Sequence, residues 1–476
     1  MRILPFVLLT AACLAAQSPD EAYVRVSPRN HHYLELTDGS PYVPNGLNMI
    51  SPPFTRAGEE EALRGLDQWL TSLSENGGNY IRVWISNPFW AVEHDKVGVY
   101  DESRAKRIDR MLEMCRKHHI RVKLTMEHFR SIGGGKQSWA DEPFRNVANG
   151  GAALNMADFF NGESSRELFR RKIQWYAQRF GSRPEIYGWE LWNEINAVSG
   201  GGDYMSWTEA MLPELHRAFP KNLTMQSLGS FDSEKVVAKY RQLATMPGND
   251  VAQVHRYLDL GASLAICKGP VDLLAADAVR EVLSYQPDRP VILAESGAVE
   301  PRHAGPSHLY ALDREGMLLH DILFAPFFAG AAGAGQIWHW DAYVAANKLW
   351  FHYGRFAQAV RGIDPVAEAF TPSMIQDERL RIYVLRGKRT TLVWCRDSRN
   401  TWESELEKHE KPEPVVHATV NLGDVLPANK VQSVRLYDPW QDRWTNGKLV
   451  KGKVALPEFS RSLVIRLEAH LEPGAH

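Results

Sequence analysis

Cysteine is scarce, with four in 476 residues, and one of them, Cys13, lies in the first segment of the chain. The other three, Cys115, Cys267 and Cys395, are odd in number and widely spaced. That excludes a disulfide framework and a CxxC metal signature and leaves them as small buried hydrophobes. An excess of either charge is also missing: 55 Lys and Arg stand against 57 Asp and Glu, a formal net charge of -2. Electrostatic capture of nucleic acid is therefore not indicated, and a neutral partner is expected. Past the N-terminus no apolar run is long enough to cross a bilayer, so no transmembrane span is expected. No glycine-rich phosphate fingerprint follows the first strand, and no cluster has the sequence spacing of a metal site. Neither a cofactor nor a catalytic metal is expected.

The N-terminus, "MRILPFVLLTAACLAAQS", carries one Arg, a short apolar run and then small residues, the pattern of a secretory signal peptide. Residues 1–17 are set apart from the fold on that ground, and the mature chain is expected to be secreted, periplasmic or extracellular. "LTAAC" is an imperfect lipobox around Cys13 and "LAAQ" a loose signal-peptidase site. Free secretion and a lipid anchor at Cys13 both stay open.

What remains is long enough for two domains, since single cores stop growing at about 250–300 residues. Eight β-rich runs alternate with helical stretches: "YVPNGLNM", "NYIRVWIS", "IRVKLTME", "EIYGWELWNE", "LTMQSL", "VAQVHRY", "PVILAESG" and "GAGQIWHW". Phe169, Ile173, Tyr176 and Phe180 recur at spacings of four, three and four, which places them on one helix face. The expected fold class is α/β: a (β/α)8 TIM barrel over 18–368, followed by a small C-terminal antiparallel β-sandwich over 369–476. A doubly wound open sheet is the competing α/β arrangement.

The stretch Ser131–Ser164 is long and glycine-rich and holds Trp139, Phe144, Phe159 and Phe160. It reads as a lid or binding loop, with a packed insertion as the alternative. In the second domain "DPWQDRWTNGK" suggests a hairpin turning at Asn446 and Gly447, and "RDSRNTWESELEKHEKPE" a solvated loop. Trp402, Trp440 and Trp444 look exposed but form no evenly spaced stripe, so the sandwich is expected to be a structural companion.

Chemistry converges on two carboxylates. "GWELWNEIN" puts Glu194 at the end of the fourth strand candidate, and "PVILAESG" puts Glu295 at the end of the seventh. In a barrel such positions face the mouth where active sites form. A pair of carboxylates flanking a sugar is what glycoside hydrolysis requires, one to protonate the departing oxygen and one to attack the anomeric carbon or activate water. Glu190 shares the parity of Glu194 and is its rival; lying deeper, it is expected to pair with a barrel cation such as Arg82. His118 and His119, at a helix end before a strand, read as surface residues.

These motifs together, "WNE", "AESG", "HRY" and "NYIRVW", resemble the clan A glycoside hydrolases, family 5 in particular, over the barrel. The resemblance implies that Glu194 is the acid/base, Glu295 the nucleophile, and Asn193 the partner of the sugar hydroxyl beside the reacting carbon. It implies further that Arg82 supports the nucleophile carboxylate, that Tyr257 bonds it, and that His128 and His255 occupy pocket positions. Trp338 or Trp340 would be the sugar platform, and strand parity places both on one face. The expected function is retaining hydrolysis of β-linked bonds in a polysaccharide or oligosaccharide, with mannan or β-glucan foremost. The competing class, a carbohydrate-binding or structural wall protein on an inactive barrel, is opposed by the presence of both carboxylates.

Overall fold

A computed structural model of the chain describes residues 21–128, 151–181, 183–198, 201–423 and 431–469. Residues 1–17, read above as a signal peptide, and the aromatics Trp139 and Phe144 lie outside them. An antiparallel three-stranded sheet, β1 (Val24–Val26), β2 (Leu34–Leu36) and β3 (Pro41–Tyr42), precedes the barrel. Tyr42 ties it down by donating its hydroxyl to the Asn79 carbonyl at 3.0 Å.

Seven parallel strands build the barrel: β4 (Gly46–Asn48), β5 (Tyr80–Trp84), β6 (Arg121–His128), β7 (Ile186–Asn193), β8 (Leu223–Met225), β9 (Ala252–His255) and β10 (Val291–Glu295). Every residue of β5, β6 and β7 is buried. This is why these segments read as nearly continuous apolar runs: parallel strands covered by helices on one face and filling the barrel on the other have no wet side. The ladders run β4-β5-β6-β7-β8 and β9-β10. Asp250 N to Thr224 O (2.8 Å) and Phe231 N to His255 O (2.7 Å) join β8 to β9.

The eighth position departs from expectation. "GAGQIWHW" forms no full strand; Ile337 alone bridges Leu47 on one side and Ser296 on the other. Asn48 N to Ile337 O (3.0 Å) and Ser296 N to Gln336 O (3.0 Å) close the ring. The chain then turns at once into a π-helix over Trp340–Ala345.

The helices follow their sequence signals. Helix Glu59–Glu75 opens on three acidic residues, which suit the positive end of its dipole, and buries Leu63, Leu66, Leu70 and Leu73. Helix Glu163–Phe180 buries Phe169, Ile173, Tyr176 and Phe180 on one face. Of the long stretch read as a lid, the described end is packed rather than loose. Phe159 and Phe160 lie on helix Met156–Asn161, with ring centroids 6.0 and 5.5 Å from that of Trp192. His118 is half-buried with Nε2 2.7 Å from Asp67 Oδ1, so only His119 is the surface residue expected of the pair.

The second domain is two antiparallel sheets. The larger has the order β11 (Thr371–Gln376), β12 (Leu380–Arg386), β13 (Thr390–Asp397), β19 (Ser462–Ala469), β15 (Val431–Asp438), β16 (Arg443–Asn446). The smaller is β14 (Thr419–Asn421), β18 (Lys453–Ala455), β17 (Leu449–Val450). Strand alternation sends Leu380, Ile382 and Val384 into the core between the sheets, while Tyr383 and Leu385 join the core of the barrel. The larger sheet is therefore covered on both faces. Against it lies helix Met317–Phe328, buried at all twelve residues, as expected of a helix that is apolar all round.

Charged side chains lock the same interface. Arg381 bonds both oxygens of Asp272, at 2.6 and 2.8 Å, and Arg396 both oxygens of Asp321, at 2.8 and 3.1 Å. The charged run from Arg396 onward is thus partly an interdomain seam, with Arg396, Asp397, Asn400 and Trp402 buried, against the expectation of a solvated loop. Trp402 is buried and donates Nε1–H to the Gly269 carbonyl at 3.1 Å. Trp440 donates Nε1–H to Ser462 Oγ at 3.1 Å, and Trp444 stacks on Tyr437. None of the three is fully exposed, as their setting in the sequence suggested they would be. The hairpin turns at Pro439–Asp442, between β15 and β16, with Asp442 left-handed at φ 51°. Gly447 instead continues the pairing through Gly447 N to Val434 O (2.8 Å).

Candidate active site

Asn193 is the last residue of β7, and Glu194 follows it in the left-handed region, at φ 50° and ψ 50°. A side chain with a Cβ is held there at a cost of about 1–3 kcal/mol, so its surroundings must enforce it. The loop after β8 does so. Ser227 Oγ accepts the Glu194 N–H at 3.1 Å, and Asn196 Oδ1 accepts the Gly229 N–H at 2.6 Å. The kink turns the Glu194 carboxylate off the strand line and over the barrel mouth.

Glu295 ends β10 and is held at both oxygens. Arg82 bonds Oε1, and Tyr257 donates its hydroxyl to Oε2 at 2.7 Å. His255, at the end of β9, lies beneath the pair with Nδ1 3.0 Å from Glu194 Oε1 and 3.5 Å from Glu295 Oε2. One ligand atom from each of Glu194, His255 and Glu295 falls within 4.8 Å of the others. Glu194 is 16% exposed and Glu295 only 3%, so the first carboxylate meets the cavity more openly and the second sits in its floor.

Arg82 on β5 is the hub. Besides Glu295 it bonds Glu190 Oε2 through Nε (2.9 Å) and Nη2 (2.5 Å), and Asn193 Oδ1 through Nη2 (2.6 Å). Burial works against its charge, but Glu190 and Glu295 outweigh that and hold its pKa above the usual value. Burial alone would raise Glu190; Arg82 and then Lys123 overcome it and hold the carboxyl down at about 2. Glu190 is thus the permanent counter-ion of Arg82, as its depth implied. With its oxygen occupied by Arg82, Asn193 has its amide N–H left for the cavity it lines.

The cavity measures about 740 Å³ and is lined by Trp84, Asn193, Glu194, Tyr257, Glu295 and Trp338 together with residues of the β8, β9 and β10 loops. Its size suits a few sugar rings and exceeds a single metal or ion. No family model matches the chain. Curated relatives do: mannan endo-1,4-beta-mannosidase 7 of Arabidopsis thaliana is 24% identical over 299 residues, 55% of this chain and 65% of that protein. Mannan endo-1,4-beta-mannosidase 1 of Oryza sativa subsp. japonica is 26% identical over 262 residues, 47% of this chain and 57% of that one. The chain spans less than two thirds of either relative. Among solved structures, a glycoside hydrolase family 5 protein from Bacteroides vulgatus aligns over 95% of both chains with a TM-score of 0.58 and 12% identity. The endo-1,4-beta-mannanase of Rhizomucor miehei aligns over 71% of this chain and 99% of its own, with a TM-score of 0.51 and 15% identity.

The fold of the chain is that of these family 5 glycoside hydrolases. With that frame each expected residue can be placed. Arg82, Asn193, Glu295 and Tyr257 come together in one hydrogen-bonded group, and Glu194 with its partner His255 stands against it, His255 Nδ1 lying 3.5 Å from Glu295 Oε2. His128 does not line the cavity. It stands behind Trp84, stacked at 4.6 Å between ring centroids, with Nδ1 2.7 Å from Ser86 Oγ. Trp338 and Trp340 both line the cavity, but not as neighbours on a strand face. Their rings are 84° apart because the strand has ended and Trp340 opens the π-helix. Trp338 also packs on Trp84, with centroids 4.9 Å apart.

Four participants escaped the sequence reading. Trp84 ends β5 and lines the cavity, and an indole at a strand end facing the mouth is its signal in the sequence. Lys123 and Gln253 lie in the barrel interior, where Lys123 Nζ donates to Gln253 Oε1 and Gln253 Nε2 donates to Glu190 Oε1 at 3.1 Å. A lysine inside an apolar run of a barrel strand should have stood out as a buried charge. His339 lies between the two tryptophans and lines the cavity. Two groups among the described residues have the close ligand atoms a metal would need: Glu194, His255 and Glu295, and, at the rim, Asp232, Asp259 and His303.

Proposed function

We propose that the protein is a retaining β-glycosidase, with Glu194 as acid/base and Glu295 as nucleophile. The observation that carries this is the unequal dressing of two carboxylates whose oxygens lie within 4.8 Å. Retaining enzymes hold their carboxyls about 5–5.5 Å apart, whereas inverting ones leave a gap of about 6.5–9.5 Å for water. Glu295, held by Arg82 and Tyr257, is the group aimed to attack the anomeric carbon. Glu194, nearer the opening and hydrogen-bonded to His255, delivers a proton to the departing oxygen and later takes one from water. Asn193 donates to the hydroxyl beside the reacting carbon, and Trp338 and Trp84 offer flat apolar faces to the sugar.

The names of the curated relatives make β-1,4-mannan the first substrate to try and β-glucan the second. The test is turnover of a polysaccharide panel and of aryl β-mannoside, β-glucoside and β-galactoside, with the first-formed anomer read by NMR. An initial α product, or inertness on the whole set, overturns the proposal. Glu295→Ala should abolish glycosyl-enzyme formation for every leaving group. Glu194→Ala should still form it from a dinitrophenyl glycoside and yield a β-glycosyl azide in azide. The reverse pattern exchanges the roles.

The proposal includes export, because the leader residues 1–17 have the signal-peptide pattern. A cell-surface or periplasmic location, free or anchored through Cys13, is tested by the mass of the mature N-terminus and by fractionation of a Cys13→Ser variant. Intact Met1 on cytosolic protein would refute it.

A further inference from the structure

Two residues past Glu295, Gly297 adopts φ 148°, and a Cβ there would lie 2.5 Å from the Tyr310 hydroxyl and 3.5 Å from His339 Nδ1. The glycine lets these two side chains close against the strand end that carries the nucleophile. Tyr310 is buried, and its hydroxyl oxygen accepts the Ala298 N–H at 2.7 Å. The same oxygen is 2.9 Å from His339 Nδ1. A buried hydroxyl has one proton, and leaving it without an acceptor costs about 1–3 kcal/mol. The Tyr310 proton therefore goes to His339 Nδ1, which must be the unprotonated nitrogen.

That assignment fixes the other end of the ring. With Nδ1 as acceptor, neutral His339 carries its proton on Nε2. Burial keeps the ring neutral, lowering its pKa to about 4 against the pull of the Glu295 charge. His339 lines the cavity, and among the described residues Nε2 has no hydrogen-bond partner. A backbone N–H, a tyrosine and a glycine thus combine to present one oriented N–H donor on the nucleophile's side of the cavity. Trp338 and Trp340, on either side of it in the chain, line the same wall.

We infer that His339 donates its Nε2–H to a hydroxyl of the sugar bound beside Glu295, which makes it a specificity-determining residue of this site. The inference rests on the glycosidase reading above, and the donor is set by Tyr310 rather than by pH. A site built to bond a hydroxyl rejects an analogue lacking it far more strongly than an apolar wall would.

The test uses the full chain and measures kcat/KM on mannohexaose or on whichever aryl β-glycoside the wild type hydrolyses fastest. Gln places an amide N–H where His has Nε2, whereas Asn reaches only to the Nδ1 position. His339→Asn should lose about tenfold or more, and His339→Gln should stay within about threefold of wild type. Tyr310→Phe frees the tautomer and should cost about threefold or more in the wild-type background but nothing further in the His339→Gln background, because Gln needs no tautomer lock. A packing role for Tyr310 would cost the same in both, so the cycle decides even where His339→Asn fails to fold; melting temperatures identify that case. An Asn variant within threefold of wild type, a Gln variant as impaired as Asn, or an additive cycle overturns the inference. A wild type inert on every substrate instead sinks the glycosidase reading, and this inference with it.

Discussion

Lys123 allows a quantitative test of the charge network beneath the site. Its side chain is wholly buried, donates to Gln253 Oε1 and lies 4.0 Å from Glu190 Oε2. Burial first, and the neighbouring Arg82 charge second, lower its pKa to about 7 against the pull of Glu190 and Glu295. In the unfolded chain it returns to about 10.4. Between those two values the unfolded state binds the proton and the folded state does not, so stability from this group rises with pH. Below pH 7 both states hold the proton and the slope vanishes. Each full unit inside the window contributes about 1.4 kcal/mol; allowing for half-titration at pH 7, the rise from pH 7 to pH 9 comes to about 2 kcal/mol. Lys123→Met removes it. Glu190 and Arg82 stay ionised over this range in both proteins, so they cancel in the difference. Urea unfolding followed by tryptophan fluorescence at pH 5, 6, 7, 8 and 9 should show wild type gaining about 2 kcal/mol on the variant from pH 7 to 9, with a constant gap from 5 to 6. A gap that is flat or narrows from pH 7 to 9 would refute the reasoning.

Ser227→Ala takes away the acceptor that holds Glu194 left-handed, so substrates needing a proton on the leaving group should lose about tenfold while a dinitrophenyl glycoside is little affected; equal losses on both would assign Ser227 to folding alone. Arg381→Met leaves the buried Asp272 carboxylate without its counter-ion, bonded by the Tyr383 hydroxyl at 2.7 Å, and should cost about 3–5 kcal/mol in a denaturant titration, most of it recovered when Asp272→Leu is added; a loss under about 1 kcal/mol would contradict the locked interface. Deleting residues 370–476 uncovers helix Met317–Phe328, where Phe324 and Phe328 pack on Trp394 with centroids 5.8 and 6.0 Å away, and should give aggregated protein by light scattering. A soluble, fully active barrel from that deletion would return the second domain to an optional module.

The barrel was legible because its strands obey a single rule. Runs such as "EIYGWELWNE" are apolar on both faces, and every residue of β7 is indeed buried. The places of Glu194 and Glu295 at the barrel mouth were legible because strand ends face it, whereas the aim of the Glu194 side chain depends on the loop after β8. The failures fall where chain geometry departs from a regular element. Parity could not separate Trp338 from Trp340, because only Ile337 pairs as a strand before the π-helix begins. His128 has strand-end placement and stacks on Trp84, a matter of side-chain packing that spacing does not encode. The second domain misled for a different reason. A sheet covered by its own partner on one face and by the barrel on the other puts charges such as Arg396 and Asp321 inside, where composition alone assigns them to solvent.

Two breaches of local rules meet at the site: Glu194, at positive φ, is itself one of the carboxylates, and Lys123, a lysine in an apolar strand, lies 4.0 Å from Glu190, the counter-ion of the Arg82 that bonds the other. This convergence has a physical reason. Strain at Glu194 and desolvation at Lys123 each disfavour the fold locally and persist only where the surroundings over-determine them. Ser227 serves both, since its hydroxyl accepts the Glu194 N–H and also lowers the pKa of Glu190, the counter-ion shared by Arg82 and Lys123. The backbone kink that aims one carboxylate and the buried charges that steady the other therefore meet at Ser227.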